Sequence, residues 1–434
     1  MKYKPYPAYK DSGVEWLGEV PAHWIVRRLK HCLNLITEKT SRRDRPVALE
    51  NVEGWSGRFI ETASEFEGEG VAFVPGDILF GKLRPYLAKA YLAESHGEAV
   101  GDFHVLRPGK SITGRFAQYQ ILNRDFIAIA DSSTFGAKMP RVGWEFMGNM
   151  GFLAPPGDEQ TAIAIFLDRE TAKLDTLIAR QEKLIELLQE KRQALISHAV
   201  TKGLNPDAPM KDSGVAWLGE VPAHWEITPI KHIVSVPVTD GPHETPEFFD
   251  EGVPFVSAEA VSTGKIDFEK IRGFISTEDH RRYSLKYSPR IHDIYMVKSG
   301  ATTGVSAIVE TDLEFNIWSP LAVIRCGDAA NPYFILNVIR SRNFQEAIAL
   351  NWSFGTQQNI GMGVIQNLPV PIPPLEEQAE IASYLGAESN KLDTLIEKSR
   401  RSIELMREHR AALISAAVTG KIDVRGPAAE RQAA

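Results

Sequence analysis

Two segments of the chain carry apolar residues at a seven-residue period. In the first, Leu167, Leu174, Leu188 and Leu195 keep the period with Gln181 interrupting it, while Leu177 with Leu184 and Ile178 with Ile185 run beside them. In the second, Leu385, Leu392, Met406 and Leu413 repeat the pattern, flanked by Ile381, Leu395, Ile396 and Ile403. Pro155-Pro156 stops whatever precedes the first segment, and Asp158-Glu159 then place acids in an opening turn, where the helix dipole favours them. The pattern predicts one long helix over residues 155–203 and another over 373–424. Each spans about 40 residues, roughly 60 Å at the rise of an α-helix. The period favours a coiled-coil pair whose stripes bury one another, with ordinary bundle packing as the alternative. Arg180, Glu182, Lys183, Glu186, Glu190 and Lys191 form a solvated charged face.

The stretches outside these helices mix short β-rich runs with turn-rich loops and a helix. Val71–Phe80, Ile291–Lys298 and Leu321–Cys326 are such runs, which points to compact α/β domains. Self-similarity organises the whole chain. Lys10–Trp24 reads KDSGVEWLGEVPAHW and Lys211–Trp225 reads KDSGVAWLGEVPAHW, differing only at Glu15 against Ala216, an offset of 201. A second repeated block starts at Pro155-Pro156 and Pro373-Pro374, an offset of 218. In it Glu159-Gln160 matches Glu377-Gln378, Lys173-Leu-Asp-Thr-Leu-Ile178 matches Lys391-Leu-Asp-Thr-Leu-Ile396, and Ala194-Leu-Ile-Ser197 matches Ala412-Leu-Ile-Ser415. The frames agree, whereas the interiors align only loosely and the second is longer by 17 residues. Frames that do one common job around interiors that do two different ones explain this pattern better than drift after duplication. The expected fold is therefore α/β (α+β), two globular domains separated by two long coiled-coil helices with a pseudo-twofold internal repeat; if the helices pack antiparallel, the two domains attach at opposite ends. The divisions are 1–154, 155–203, 204–372 and 373–424, with a polar tail at 425–434.

A length of 434 residues exceeds what one hydrophobic core usually serves, and 43% hydrophobic with 24% charged residues is ordinary for a globular protein. Cys32 and Cys326 stand far apart and outside any Cys/His cluster, so neither a disulfide framework nor a zinc site is suggested. No run of about 18 apolar residues occurs and the first residues hold no apolar signal core, which excludes membrane and secretory readings and suits a reducing cytoplasm. The formal net charge is −7. Residues 26–154 hold 17 Lys and Arg against 15 Asp and Glu, whereas 226–372 hold 12 against 17. A nucleic-acid binder of this charge needs focused local patches or a partner that supplies positive charge.

Motifs for chemistry are incomplete. Gly76–Leu83 reads G-x-x-x-x-G-K-L, and Leu83 cannot hold magnesium as the Ser or Thr of a phosphate-binding loop does. The intervening Asp77-Ile-Leu-Phe80 has strand character instead. Asn331-Pro-Tyr-Phe334 only resembles the Asn/Asp-Pro-Pro-aromatic tetrapeptide of adenine methyltransferases and opens a helix. None of the 11 histidines pairs with another ligand at metal-binding spacing. A methyltransferase or nuclease in its own right is thus the weaker reading, as is a coiled-coil scaffold that makes no DNA contact.

The Trp-Leu-Gly-Glu-Val-Pro-Ala-His-Trp blocks, the Pro-Pro-x-x-Glu-Gln and Lys-Leu-Asp-Thr-Leu-Ile blocks, Gly76–Pro85, Ser299-Gly-Ala-Thr-Thr-Gly304 and Gly355-Thr-Gln-Gln-Asn359 together resemble the DNA specificity subunits of type I restriction-modification systems. The resemblance covers nearly the whole chain. It implies two target-recognition domains, each reading one half of a split, asymmetric double-stranded DNA site. It also implies helices that set the spacing and dock two modification (methyltransferase) subunits, joined by restriction (translocase and endonuclease) subunits. S-adenosylmethionine, ATP and Mg are then expected on those partners and no cofactor or metal on this chain, which is non-catalytic. Helices of this length exceed one turn of DNA, about 34–36 Å, and can act as a ruler.

Reading DNA needs cations and amides for phosphates, and Arg, Lys, Asn, Gln, Ser or Thr for base edges. Such residues cluster at Arg42, Arg43, Lys82, Arg84, Lys138 and Arg141 in the first domain. In the second they cluster at Lys298, Thr302, Thr303, Thr356, Gln357, Gln358 and Asn359. Lys82, Arg84, Thr302 and Thr303 suit phosphate contact or scaffold better than base choice. Trp16, Leu17, Val20 and Trp24, echoed by Trp217, Leu218, Val221 and Trp225, form either a core plug or a brace pinning each domain to a helix end.

Overall fold

The computed structural model describes residues 3–41, 45–62, 69–136, 138–354 and 358–425. Its contacts divide the chain into two units, residues 1–182 with 400–434, and residues 183–399. The two long helices are Gly157–Lys202, 46 residues, and Leu375–Val418, 44 residues, hereafter the central and distal helices. At the α-helical rise the central helix is about 69 Å long. Residues 157–182 and 400–418 of these helices belong to the first unit and residues 183–202 and 375–399 to the second.

In the first unit, the antiparallel sheet runs in the order Leu33–Ile36, Phe103–Pro108, Ile78–Gly81, Ala90–Leu92. A second sheet is ordered Lys39–Thr40, Gly70–Phe73, Gly97–Val100, Pro46–Val47. The run Val71–Phe80 is therefore two strands in two sheets, broken by a turn in which Gly76 adopts φ 89°. Glycine is the residue that enters this region without a Cβ penalty. Helices Gly114–Ile121 and Arg124–Ser132 cover the first sheet, and Ile25–Arg28 pairs with Gly151–Ala154 just before the central helix begins.

The second unit repeats this plan in its own residues. Its antiparallel sheet is Thr239–Asp240, Leu321–Ile324, Ile294–Val297, Ser306–Ile308, and its smaller sheet is Phe274–Ile275, Val253–Val256, Asn316–Ile317. Helices Pro332–Arg340 and Arg342–Leu350 take the place of the first unit's pair, and Asn331 caps the former by accepting from the Tyr333 and Phe334 amides. Glu226–Pro229 pairs with Pro369–Ile372 before the distal helix. Interiors that align only loosely in sequence thus share the strand order of their larger sheets.

The conserved frame is built into each core. Trp24 and Trp225 are fully buried. Taking a ring of that size out of water is worth up to about 5 kcal/mol. Trp24 shares a core with Ile163, Phe166 and Leu167 near the start of the central helix and with Leu413, Ile414, Ala417 and Val418 near the end of the distal one. Trp225 shares its core with Ile196, Ala199 and Val200 near the end of the central helix and with Ile381 and Leu385 near the start of the distal one. Each unit is therefore closed by the beginning of one helix and the end of the other. The helix ends are core elements of the domains, which is why the contacts divide the chain within the helices and not at their ends. Gly203 and Gly420, at φ 74° and 73°, end the two helices, and a Cβ on Gly420 would lie 2.4 Å from Pro21.

Within each unit the helices run antiparallel. In the first, Asp175 meets Arg410 and Glu182 meets Arg407, so numbering rises on one helix as it falls on the other. In the second, Leu188, Leu392 and Ile396 form a buried cluster with Ile185 and Leu195 against it. Leu167, Ile403 and Leu413 are also buried, and Leu174 and Met406 are half-buried. Leu177, Leu184 and Leu395, expected on the packed stripe, are exposed instead. Ile178, Ile185 and Ile396, each the next residue along, turn inward in their place. One residue is about 100° of rotation on a helix, enough to move a side chain off a narrow seam. Arg425 is not part of a free tail. It bonds Asp423 and the Glu159 carboxylate and lies 4.6 Å from the Tyr6 ring centroid.

Candidate nucleic-acid interface

In each unit the strand that follows a buried aspartate delivers the candidate loop. Asp77 accepts from the Val74 amide at 2.9 Å and from Arg107 at 2.8 and 2.7 Å. Asp293 accepts from the Arg290 amide at 2.8 Å, from Arg325 at 2.7 Å through each of two nitrogens, and from the Tyr287 hydroxyl at 2.5 Å. Both carboxylates are almost fully buried, and a buried charge is tolerable only when paired and hydrogen-bonded this completely. Burial raises the Tyr287 and Tyr295 hydroxyls well above the usual tyrosine range and pushes the Cys326 thiol up to about 12. These groups stay protonated and structural. Strands Ile78–Gly81 and Ile294–Val297 begin immediately after the two aspartates and lead into Lys82 and Lys298.

There the chain meets a hairpin in the same way in both units. The Lys82 amide donates to the Asp102 carbonyl at 2.9 Å, the Arg84 amide to Pro140 at 2.8 Å, and the Val142 amide back to Lys82 at 3.0 Å. In the second unit the Lys298 amide donates to Pro320 at 2.8 Å, the Gly300 amide to Gln358 at 3.0 Å, and the Ile360 amide back to Lys298 at 2.8 Å. Bridges Leu83 with Arg141 and Ser299 with Asn359 complete the correspondence. The folded chain thus gathers Lys82, Arg84, Lys138 and Arg141 into one loop pair, and Lys298, Thr302, Thr303, Gln358 and Asn359 into the equivalent one. Arg42, Arg43, Thr356 and Gln357 lie outside the described residues.

The cations are not equivalent. Arg141 bonds both oxygens of Asp102, at 2.9 and 2.8 Å, and these bonds hold the Asp102 carboxyl below its usual range. Lys82 stands 3.9 Å from the same carboxylate. In the second unit Lys298 lies 3.4 Å and Lys286 2.5 Å from Asp240, which is fully buried, and His243 lies 3.1 Å from it. Lys82, Arg141 and Lys298 are therefore held by acids and shape the loops. Arg84, Lys138, Gln358 and Asn359 are exposed. Neither Arg84 nor Lys138 forms an ion pair among the described residues, so their charge faces solvent. Arg84 is also in the left-handed region, φ 50°. Asp102, Asp240 and Lys286 are absent from the sequence-based candidates. The turn Asp240-Gly-Pro-His243, beside an apolar strand, is the signal that could have marked the second group.

The frame Trp residues meet an acid on the helix that follows them. The Trp24 indole donates to Glu159 at 2.9 Å and His23 lies 2.7 Å from the same carboxylate; Trp225 donates to Glu377 at 3.1 Å, with His224 at 2.8 Å. Trp16 and Trp217 sit at the periphery, edge-on to Phe126 and Phe344. Both features thus serve as plug and brace together. Among the described residues no group of three or more His, Cys, Asp and Glu is arranged to hold a metal ion, and no helix is long and apolar enough to cross a membrane.

A duplicated α/β domain framed by a shared helix pair, with matching loop pairs, is the class of protein the fold defines. Residues 222–405 match the sequence model of the type I restriction modification DNA specificity domain. The chain is 25% identical over 299 residues to the type I restriction enzyme MjaVIII specificity subunit of Methanocaldococcus jannaschii, covering 68% of this chain and 67% of that one. Its fold is similar to that of a solved type I R-M system chain, with TM-score 0.65 and 19% identity over 92% of this chain and 98% of that one. It is also similar to the HsdS subunit from Thermoanaerobacter tengcongensis, with TM-score 0.50 and 17% identity over 93% and 98% of the two chains. The chain is thus similar in sequence to type I restriction enzyme specificity subunits, and residues 222–405 match the DNA specificity domain.

Proposed function

We propose that this chain directs a type I restriction-modification complex to DNA, each domain reading one half of a split site through its loop pair. The observation that carries this is the repetition of one loop-and-hairpin geometry, at Lys82–Arg84 and Lys298–Gly300, around unlike side chains. Shared backbone with different side chains is what two readers of different half-sites require. The chain targets and does not catalyse. In this reading S-adenosylmethionine, ATP and Mg belong to partner subunits, and the assembly acts in the cytoplasm.

The modification subunits are assigned to the long helices. Leu177 in the first unit and Leu184 and Leu187 in the second are exposed on the central helix, as are Leu405 in the first unit and Leu395 in the second on the distal helix. Leucines left in water on a helix already packed on another face suit a partner. The negative charge of the chain fits a clamp around DNA that those subunits complete.

The test is DNA binding by the assembled complex of this chain with its modification subunits. Arg84→Ala and Lys138→Ala should each weaken binding to any duplex and reduce the salt dependence by about one counterion. An unchanged salt slope in both variants contradicts the assignment of this face to DNA.

A further inference from the structure

Phe135 is the most exposed aromatic side chain among the described residues, at 65%, and it stands where the cationic loop pair of the first unit opens. Its backbone closes the hairpin by exchanging bonds with Arg141, at 3.2 and 3.1 Å, and Arg141 is itself locked to Asp102. Pro140 accepts from Arg84 across the loop pair. Met139, 48% exposed, lies on the same hairpin beside Lys138. An exposed aromatic ring and a thioether are thus carried on the hairpin that holds Lys138 and pairs with Arg84, the ring at the rim of a groove that it lines with Trp16, Ile129 and Phe146. Neither side chain can answer a hydrogen-bonding group on a base edge. The one apolar group that a base pair presents in the major groove is the thymine C5-methyl.

We propose that Phe135 contacts a thymine methyl group in the first half-site, with Met139 beside it, and so contributes to base choice where Arg84 and Lys138 contribute only affinity. The inference rests on the reading of this face as DNA-facing. It predicts that the half-site read by the first domain contains a thymine at a position sensitive to the loss of its methyl.

The experiment uses the complex of this chain with its modification subunits and a duplex carrying the site mapped by sequencing methylated bases in DNA modified by that complex. Each thymine of the duplex is replaced in turn by uracil. One replacement in one half-site should weaken wild-type binding roughly fourfold, the worth of one methyl group taken out of water. Phe135→Ala should weaken binding about tenfold, leave binding to a random-sequence duplex unchanged, and abolish the difference between thymine and uracil. Phe135→Leu should keep part of that difference. Wild-type indifference to uracil at every position overturns the proposal without any variant, as does Phe135→Ala binding like wild type. If Arg84→Ala and Lys138→Ala change nothing either, the DNA-facing reading fails; if they weaken binding and Phe135→Ala does not, only this proposal fails.

Discussion

Arg410 on the distal helix donates to Asp175 on the central helix at 2.9 and 3.5 Å and to the Trp55 carbonyl at 3.0 Å. One guanidinium thereby ties the helix pair to a loop of the first domain. The counterparts 218 residues away, Asp393 and Arg192, form the same ion pair in the second unit. The Lys-Leu-Asp-Thr-Leu-Ile motif is thus explained in part by its aspartate, which in each copy meets an arginine of the opposing helix and fixes the antiparallel register.

Arg410→Ala should therefore cost about 1–3 kcal/mol, because it leaves a carboxylate and the Trp55 carbonyl without their partner. Thermal unfolding should show a fall in Tm of a few degrees. Restoring the charge pair in reverse, with Asp175→Arg and Arg410→Asp together, should recover part of the loss, and no recovery would mean that the Trp55 contact dominates.

The two frame acids should differ in weight. Glu159 is 5% exposed and serves Trp24, His23, Tyr6 and Arg425, whereas Glu377, at 26%, serves Trp225 and His224. Glu159→Ala strands more buried donors, at about 3–5 kcal/mol for breaking a buried charge network. Urea unfolding should place its midpoint clearly below that of Glu377→Ala; equal midpoints would deny the network this role.

Acid should loosen the first domain through His104. Its ring is buried, its Nε2–H donates to the Val142 carbonyl at 3.0 Å beneath the loop pair, and burial lowers its pKa from 6.5. The unfolded chain then binds a proton that the folded chain resists, so stability is complete above pH 6.5 and falls as pH drops below it. His104→Gln, which keeps a donor toward Val142 and cannot titrate, should flatten the dependence of unfolding midpoint on pH below 6.5. An unchanged slope would locate the acid sensitivity elsewhere.

Much of the architecture is legible in the sequence because it is periodic or duplicated. The helices show in their heptads and in Pro155-Pro156 and Pro373-Pro374, and the framing blocks show as near-identical text. What escaped was set by three-dimensional neighbours. Periodicity does not say whether Leu177 or Ile178 faces the seam, and both fit a helix. The pairing of Lys82–Arg84 with Pro140–Val142 joins residues nearly 60 positions apart, and no local pattern marks it. Arg141 looks like a free cation in sequence, yet the fold gives it to Asp102. Gly76-Asp77 and His292-Asp293 do the same job in the two units, although only the first carries the glycine that announces a left-handed turn.

That the interiors and not the frames read the DNA is tested by replacing residues 26–154 with the corresponding interior of a type I restriction enzyme specificity subunit. The hybrid is assembled with the modification subunits proposed for this chain, and its methylated sites are mapped across a genome. The recognition sequence should change in one half and be retained in the other, with the spacing between halves unaltered. An unchanged sequence, or one changed in both halves, would contradict this claim.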